Sequence, residues 1–140
     1  MGCPPAHYSH YDFIGNNAVG TDRFFTLIEH NKLDTIGIHC GFYYEFIGEK
    51  ERALVTVLKL KENTTIDSLN TTISITSSTL GALEKRDKKP DYLYLSDSIT
   101  TVVFSKKIDL KREDKISKLI ENDTITVEFG NGMKYQFIRK

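Results

Sequence analysis

The sharpest pattern of hydrophobic and polar positions lies at the C-terminal end of the chain. Ile125, Val127 and Phe129 alternate with Thr124, Thr126 and Glu128, and Gly130-Asn131-Gly132 follows. Met133, Tyr135 and Phe137 then alternate with Lys134 and Gln136. Successive side chains of a strand point to opposite faces, and Asn and Gly accept the positive φ of a tight turn. The segment therefore predicts a β-hairpin. Just before it, Ile116, Leu119 and Ile120 keep i, i+3, i+4 spacing between Asp109 and Asn122. Asp109 is placed to cap a helix start, and Asp114 stands four residues before Lys118, so a short helix is expected within 110–121.

Elsewhere the pattern is of short apolar runs. Residues 101–105 hold Val102, Val103 and Phe104; residues 92–95 follow Pro90; and residues 72–76 put Ile73 and Ile75 on one face. Residues 54–60 read Leu-Val-Thr-Val-Leu-Lys-Leu, and residues 41–47 are rich in Phe and Tyr, with the charged stretch 48–52 between them as a hairpin loop. In 22–33, Phe24, Leu27 and Ile28 have helical spacing while Phe-Phe-Thr-Leu-Ile has strand composition, and a strand is expected. No repeat or low-complexity linker divides the chain. Frequent short strands joined by polar loops predict a mainly β protein. The expected form is a two-sheet immunoglobulin-like sandwich or an open barrel, with one short helix near 110–121. The Cys-Trp-Cys signature of true immunoglobulin domains is missing, since the chain has no Trp.

Composition agrees. A chain of 140 residues suits a single domain whose core needs no disulfide. Eight Phe and seven Tyr, with abundant Thr, Ile and Val, favour pleated half-buried surfaces. Nineteen basic and nineteen acidic residues cancel, so no net field draws a nucleic-acid backbone, and nucleic acid is not expected as a partner. The cluster Lys85-Arg86 and Lys88-Lys89, broken by Asp87, reads as a solvated loop. No apolar run approaches the roughly 20 residues that a membrane-spanning helix needs.

Candidate chemistry is sparse. Cys3, His7 and His10, with His39-Cys40, could in principle ligate a metal, but the spacing is loose, and a strand would point His7 and His10 to opposite faces. No metal and no organic cofactor are expected. The chain has no Gly-x-Ser-x-Gly elbow, no Gly-rich phosphate loop and no His-Glu-x-x-His helix. Adjacent strand residues face opposite ways, so His39 is not placed to take a proton from Cys40, which reads as a buried, inert thiol. Glu29-His30 has no third member. A catalytic role is therefore not expected. Asn-x-Thr triplets begin at Asn63, Asn70 and Asn122, where turn chemistry accounts for them as well as glycosylation does.

The N-terminal run Met1-Gly2-Cys3-Pro4-Pro5 is the most suggestive segment. Gly before Cys, followed by prolines, resembles the processing junction of small bacterial envelope lipoproteins, as does the texture of a short tether before a Thr- and Tyr-rich β-domain ending in a Lys-rich hairpin. In that family a signal peptidase cuts before the Cys, whose thiol receives a diacylglyceryl group. The apolar stretch that precedes the junction in the family does not precede Gly2 here. The resemblance implies Cys3 as a lipid attachment site, residues 1–9 as a tether, residues 10–140 as a single β-rich domain, and a lipid-anchored place in the bacterial cell envelope. Contact with membrane would come only through the anchor. Such lipidation would consume the Cys3 thiol, so no Cys3–Cys40 disulfide is expected. Two other readings stay open. One is eukaryotic acylation of Gly2 and Cys3, from which Ala6 departs where that motif prefers Ser or Thr. The other is a cytoplasmic protein with an unmodified Cys3.

Two function classes follow. The first is a non-enzymatic module binding a protein or glycan partner. Its contact residues would be Tyr8, Tyr11, Tyr43 and Tyr44 where these are exposed, because Tyr joins apolar area to a polar tip. Filling of the core is the alternative role for the same residues. The second class is a small inhibitor or immunity-type protein that neutralises a toxin or hydrolase.

Overall fold

A computed structural model of the chain describes residues 8–22, 25–29, 35–43, 52–60, 72–86, 101–108, 118–130 and 132–139. Twelve strands lie within them. The first six are β1 (Tyr8–His10), β2 (Asp12–Ile14), β3 (Ala18–Asp22), β4 (Phe25–Glu29), β5 (Thr35–Tyr43) and β6 (Arg52–Lys59). They are followed by β7 (Ile73–Ser77), β8 (Gly81–Ala82), β9 (Glu84–Arg86), β10 (Thr101–Ile108), β11 (Thr124–Phe129) and β12 (Lys134–Ile138).

The strands form two antiparallel sheets, neither closed into a barrel among the described residues. The first runs β3-β4-β5-β6-β10-β9, with β1 also paired to β5; the second runs β2-β12-β11-β7-β8. The protein is mainly β, and its two sheets enclose a common apolar core. Ile38, Phe42, Leu54 and Leu58 of the first sheet belong to the same buried cluster as Ile125, Val127, Tyr135 and Phe137 of the second.

The C-terminal hairpin forms with the expected pairing, Thr124 opposite Ile138 and Glu128 opposite Lys134. Gly132, at φ 90°, supplies the positive dihedral of its turn. Met133, expected on the apolar face with Tyr135 and Phe137, instead lies in the turn and is exposed. Its carbonyl accepts from the Phe129 amide at 2.9 Å, which closes the loop rather than extending the pleat. Of the expected helix, Lys118 and Leu119 are helical, and residues 110–117 lie outside the described residues. Ile120 enters the core while Leu119 stays exposed. Asn122, at φ 60°, ends the turn in the left-handed region that Asn tolerates.

Strands β6, β7 and β10 fall where apolar runs predicted them. Of the strand expected at 41–47, residues 41–43 form the end of β5, which begins at Thr35, and residues 44–51 and 92–95 lie outside the described residues. Three N-terminal strands were not expected at all. One edge of β5 is shared: its first half pairs with β4 and its second half with β1, where Tyr8 and Ser9 stand opposite Tyr43 and Phe42. The sheet thus starts two residues before the expected domain boundary at residue 10. From β1 the chain crosses to the second sheet in a single residue, Tyr11, whose amide donates to the Cys40 carbonyl at 2.9 Å. It forms β2 there and returns to the first sheet as β3. Residues 8–22 therefore stitch the two sheets together.

Candidate functional site

Tyr11, at that crossing, leads to the most concentrated polar site among the described residues. Its hydroxyl donates to Oδ2 of Asp123 at 2.7 Å, across 112 positions of sequence. Asp123 is 1% exposed and lies between the turn at Asn122 and the start of β11. From the end of β7, Ser77 Oγ donates toward both carboxylate oxygens, at 2.7 and 2.8 Å. Ser78 Oγ and the Thr79 amide each reach Oδ1 at 2.9 Å. The serines also accept: Ser77 Oγ takes the Thr79 and Leu80 amides at 3.2 and 3.0 Å, and Ser78 Oγ takes the Thr124 amide at 3.0 Å. Backbone bonds complete the knot, with Asp123 N donating to Ile120 O and Arg139 N donating to Asp123 O.

The local sequence explains each part. Ser and Thr after a strand turn the chain by bonding their own neighbouring amides, which is what Ser77 does in the β7–β8 turn. Asp follows the left-handed Asn122 and so points inward as β11 begins. Burial by itself would raise the Asp123 carboxyl, but the hydrogen bonds from Tyr11, Ser77, Thr79 and Ser78 outweigh it and hold the group below the usual carboxylate range. The Tyr11 phenol is pushed upward, first by burial and then by its bond to Asp123 and that residue's negative charge. Chemically the arrangement is a clamp. It holds a carboxylate ionised, directs four donor groups at it, and joins the sheet crossing, the β7–β8 turn and the entry to β11.

A second polar pair lies on the opposite face of β5. His39 Nε2 is 2.8 Å from Tyr43 Oη, and the Phe25 ring meets the imidazole edge-on. Cys40 points the other way, into the core between the sheets, with Sγ 3.4 Å from Thr56 Oγ1. Strand parity separates this imidazole from this thiol, as expected. Burial, partly countered by the Thr56 bond, pushes the Cys40 thiol up to about 12, so it stays protonated and unreactive at neutral pH.

Two of the four tyrosines named as binding residues are placed otherwise. Tyr11 and Tyr43 are buried, at 4% and 2% exposure, and neither can form an exposed contact. Tyr11 is drawn in by the carboxylate at the sheet crossing. Tyr43 packs in the apolar layer of Phe25, Ala53, Val55, Val57 and Val103 on the outer face of the first sheet. The backbone of Tyr8 lies in β1, while Tyr44 and Cys3 fall outside the described residues. His10 is exposed, 3.1 Å from Asp12, and His7 and His30 are likewise outside the described residues. Among the described residues no three His, Cys, Asp or Glu side chains converge as a metal site.

Asp123 was not singled out from the sequence. Its signals were present, namely a Ser-Ser-Thr run ending one strand and an Asp opening another. Their meeting depends on register across 46 positions between Ser77 and Asp123, which no local pattern carries. Comparison with family models, with curated proteins and with solved structures finds no match to this chain.

Proposed function

We propose that this chain is a non-catalytic binding module, carried on the cell envelope by a lipid at Cys3 and engaging a protein partner. The observation that carries the reading is the use made of Asp123. Among the described residues it is the carboxylate most strongly gathered into a polar cluster, and both its oxygens are occupied by donors from two segments of the fold, Tyr11 and residues 77–79. The carboxylate is buried, and the ionised state is the one the donors favour. A general acid or base needs the opposite arrangement, an open side and a pKa near the working pH. The Cys40 thiol, buried and protonated, supplies no nucleophile.

A protein partner is favoured over a glycan by the exposed large apolar residues Ile14 and Val19, which lie on either side of the β2–β3 connection, and Met133 in the hairpin turn. The anchor is supported by proximity along the chain, since only residues 4–7 separate Cys3 from β1. Several acyl chains on one residue give stable membrane attachment, where a single chain gives only a marginal one. The test expresses the gene with its native upstream sequence and compares wild type with Cys3→Ser. Wild type should take up radiolabelled palmitate and sediment with membranes, and the variant should do neither. Equal solubility without label in both would remove the anchor and move the module to the cytoplasm.

A further inference from the structure

We propose that β3 is a docking edge, to which a short extended segment of a partner protein adds as an antiparallel outer strand of the first sheet. This rests on the binding-module reading and names the surface it would use. Among the described residues the two sheets have five outer strands: β3, β9 and β1, which pairs only with β5, in the first, and β2 and β8 in the second. An outer strand presents unpaired backbone N–H and C=O groups, and folded proteins blunt such edges by making them short or charged. Four of the five are blunted. Strand β8 has two residues, β1 and β2 have three each, and β9 consists wholly of Glu84, Lys85 and Arg86. Strand β3, Ala-Val-Gly-Thr-Asp, has five residues and one charge, and Val19 to Asp22 are all exposed.

An open ladder states the chemistry of its occupant. Every second residue of β3 turns its amide and carbonyl away from β4, and only another extended backbone matches both groups at strand spacing. The register fixes the length. Pairing with β4 slips between Ala18 and Gly20, so Val19 is an extra residue and regular pairing runs from Gly20 to Asp22. Two copies of β3 paired antiparallel about Gly20 would set each bulge against the regular end of the other. The bulge therefore disfavours self-pairing and suits a short foreign strand.

The side chains at the two ends of β3 give direction. A strand running antiparallel to β3 begins beside Asp22 and ends beside Val19. Asp22 is half exposed and only 3.7 Å from Lys59, which leaves it able to meet a second cation, so a Lys or Arg at the start of the guest strand is complementary. At the other end Val19 is 58% exposed. There Asn17 Nδ2 reaches the Lys134 carbonyl at 3.5 Å, which brings the β2–β3 connection beside Met133, and Ile14 lies two positions from the Lys134 register on β2. An apolar residue late in the guest strand finds the Val19 side chain uncovered.

The experiment pans a library of random linear heptapeptides on wild type and on the Val19→Lys/Thr21→Lys variant. Both replaced side chains are exposed, so thermal melts of the two proteins should superimpose and secure the comparison. Peptides enriched on wild type should carry a basic residue before an apolar one, lose at least about tenfold in affinity on the variant, and slow amide exchange in β3. Peptides that bind both proteins equally, or no enrichment at all, overturn the inference. So does a wild-type dimer by sedimentation that the variant abolishes, because the occupant would then be a second copy. The variant retains Cys3, so palmitate labelling in both proteins alongside failed panning would sink the docking edge and leave the anchored module standing.

Discussion

The hairpin β11–β12 and the central pair β5–β6 are both antiparallel ladders, yet they use their faces differently. Along β11 and β12 burial alternates residue by residue, with Ile125, Val127, Phe129, Tyr135 and Phe137 inside and Thr126, Lys134 and Gln136 outside. Along β5 everything from Ile36 to Tyr43 is buried, and in β6 Val55 and Val57 are as inaccessible as Leu54 and Leu58. One pair forms the wall of the core. The other is enclosed on both sides, with Ile38, Cys40 and Leu58 in the layer between the sheets and Tyr43, Val55 and Val57 in a separate apolar layer on the far face. An apolar stretch without alternation, such as Ala53 to Leu58, is the mark of a strand covered twice. Tolerance to substitution should differ accordingly: half of the hairpin's positions are open to change, and almost none of the central pair's are.

Charge placed on the supposedly free face of each pair gives the largest contrast. Val57→Lys puts an ammonium into the far apolar layer with no partner, and should cost more than about 4 kcal/mol or prevent folding outright. Gln136→Lys, on the outer face of β12, should stay within about 0.5 kcal/mol of wild type. Urea denaturation of both variants reads the difference. A Val57→Lys protein as stable as wild type would mean that the far face of the first sheet is open to water.

Between these two regions stands the Asp123 knot, which fastens the β1–β2 crossing at Tyr11 to the second sheet. Tyr11→Phe removes one hydroxyl donor from a charged acceptor and should cost about 1.5–3 kcal/mol. The pH dependence separates this role from simple packing. The Asp123 carboxyl is held below its unfolded value, so it adds stability above about pH 4 and loses that contribution as pH falls through the folded value. The Tyr11 phenol is raised, so its contribution is complete below about pH 10 and declines as the solution becomes more alkaline. Wild type should therefore lose stability in acid more steeply than Asp123→Asn, whose side chain keeps the shape without the charge. Parallel acid limbs for the two proteins would show that the carboxylate contributes no linked stability.

What could be read from the sequence follows the same division. The hairpin was legible to within a residue because alternation and a Gly-Asn-Gly turn are local. The run at 54–60 was legible as a strand, but its two-sided burial was not, since the cover on its far face comes from elsewhere in the fold. Strand β9 has no apolar pattern whatever; Glu84, Lys85 and Arg86 are extended because they pair with Ser105, Phe104 and Val103 of β10. The N-terminal strands were hidden for a related reason, since β1 and β2 have three residues each and are defined by their partners β5 and β12. At the sites, parity alone sent His39 and Cys40 apart correctly. Parity could not say that Tyr11 and Tyr43 are buried, because their layers are completed by strands distant in sequence, and the meeting of Ser77 with Asp123 is likewise a matter of tertiary register.

The smallest effects come from two glycines, one in each region, whose replacement by alanine tests different physics. Gly37 in β5 faces Phe25: an added methyl would lie 3.1–3.2 Å from three atoms of that side chain, which is 2% exposed and held beneath Lys59 at 5.6 Å. The ring has little room to retreat, so Gly37→Ala should cost about 1–3 kcal/mol through overpacking. Gly132 in the hairpin turn has open space where a methyl would go, but its φ is 90°. Gly132→Ala should thus cost about 1 kcal/mol from backbone strain alone. A second substitution separates the two causes. Phe25→Leu trims the side chain that the new methyl meets, so adding it to Gly37→Ala should recover part of the loss, giving a double mutant more stable than the sum of the single effects. The same Phe25→Leu change combined with Gly132→Ala should be additive within about 0.5 kcal/mol, since the two positions belong to different sheets and Gly132 has open space around it. Additivity in both pairs would remove the Phe25 contact as the reason β5 carries a glycine at position 37.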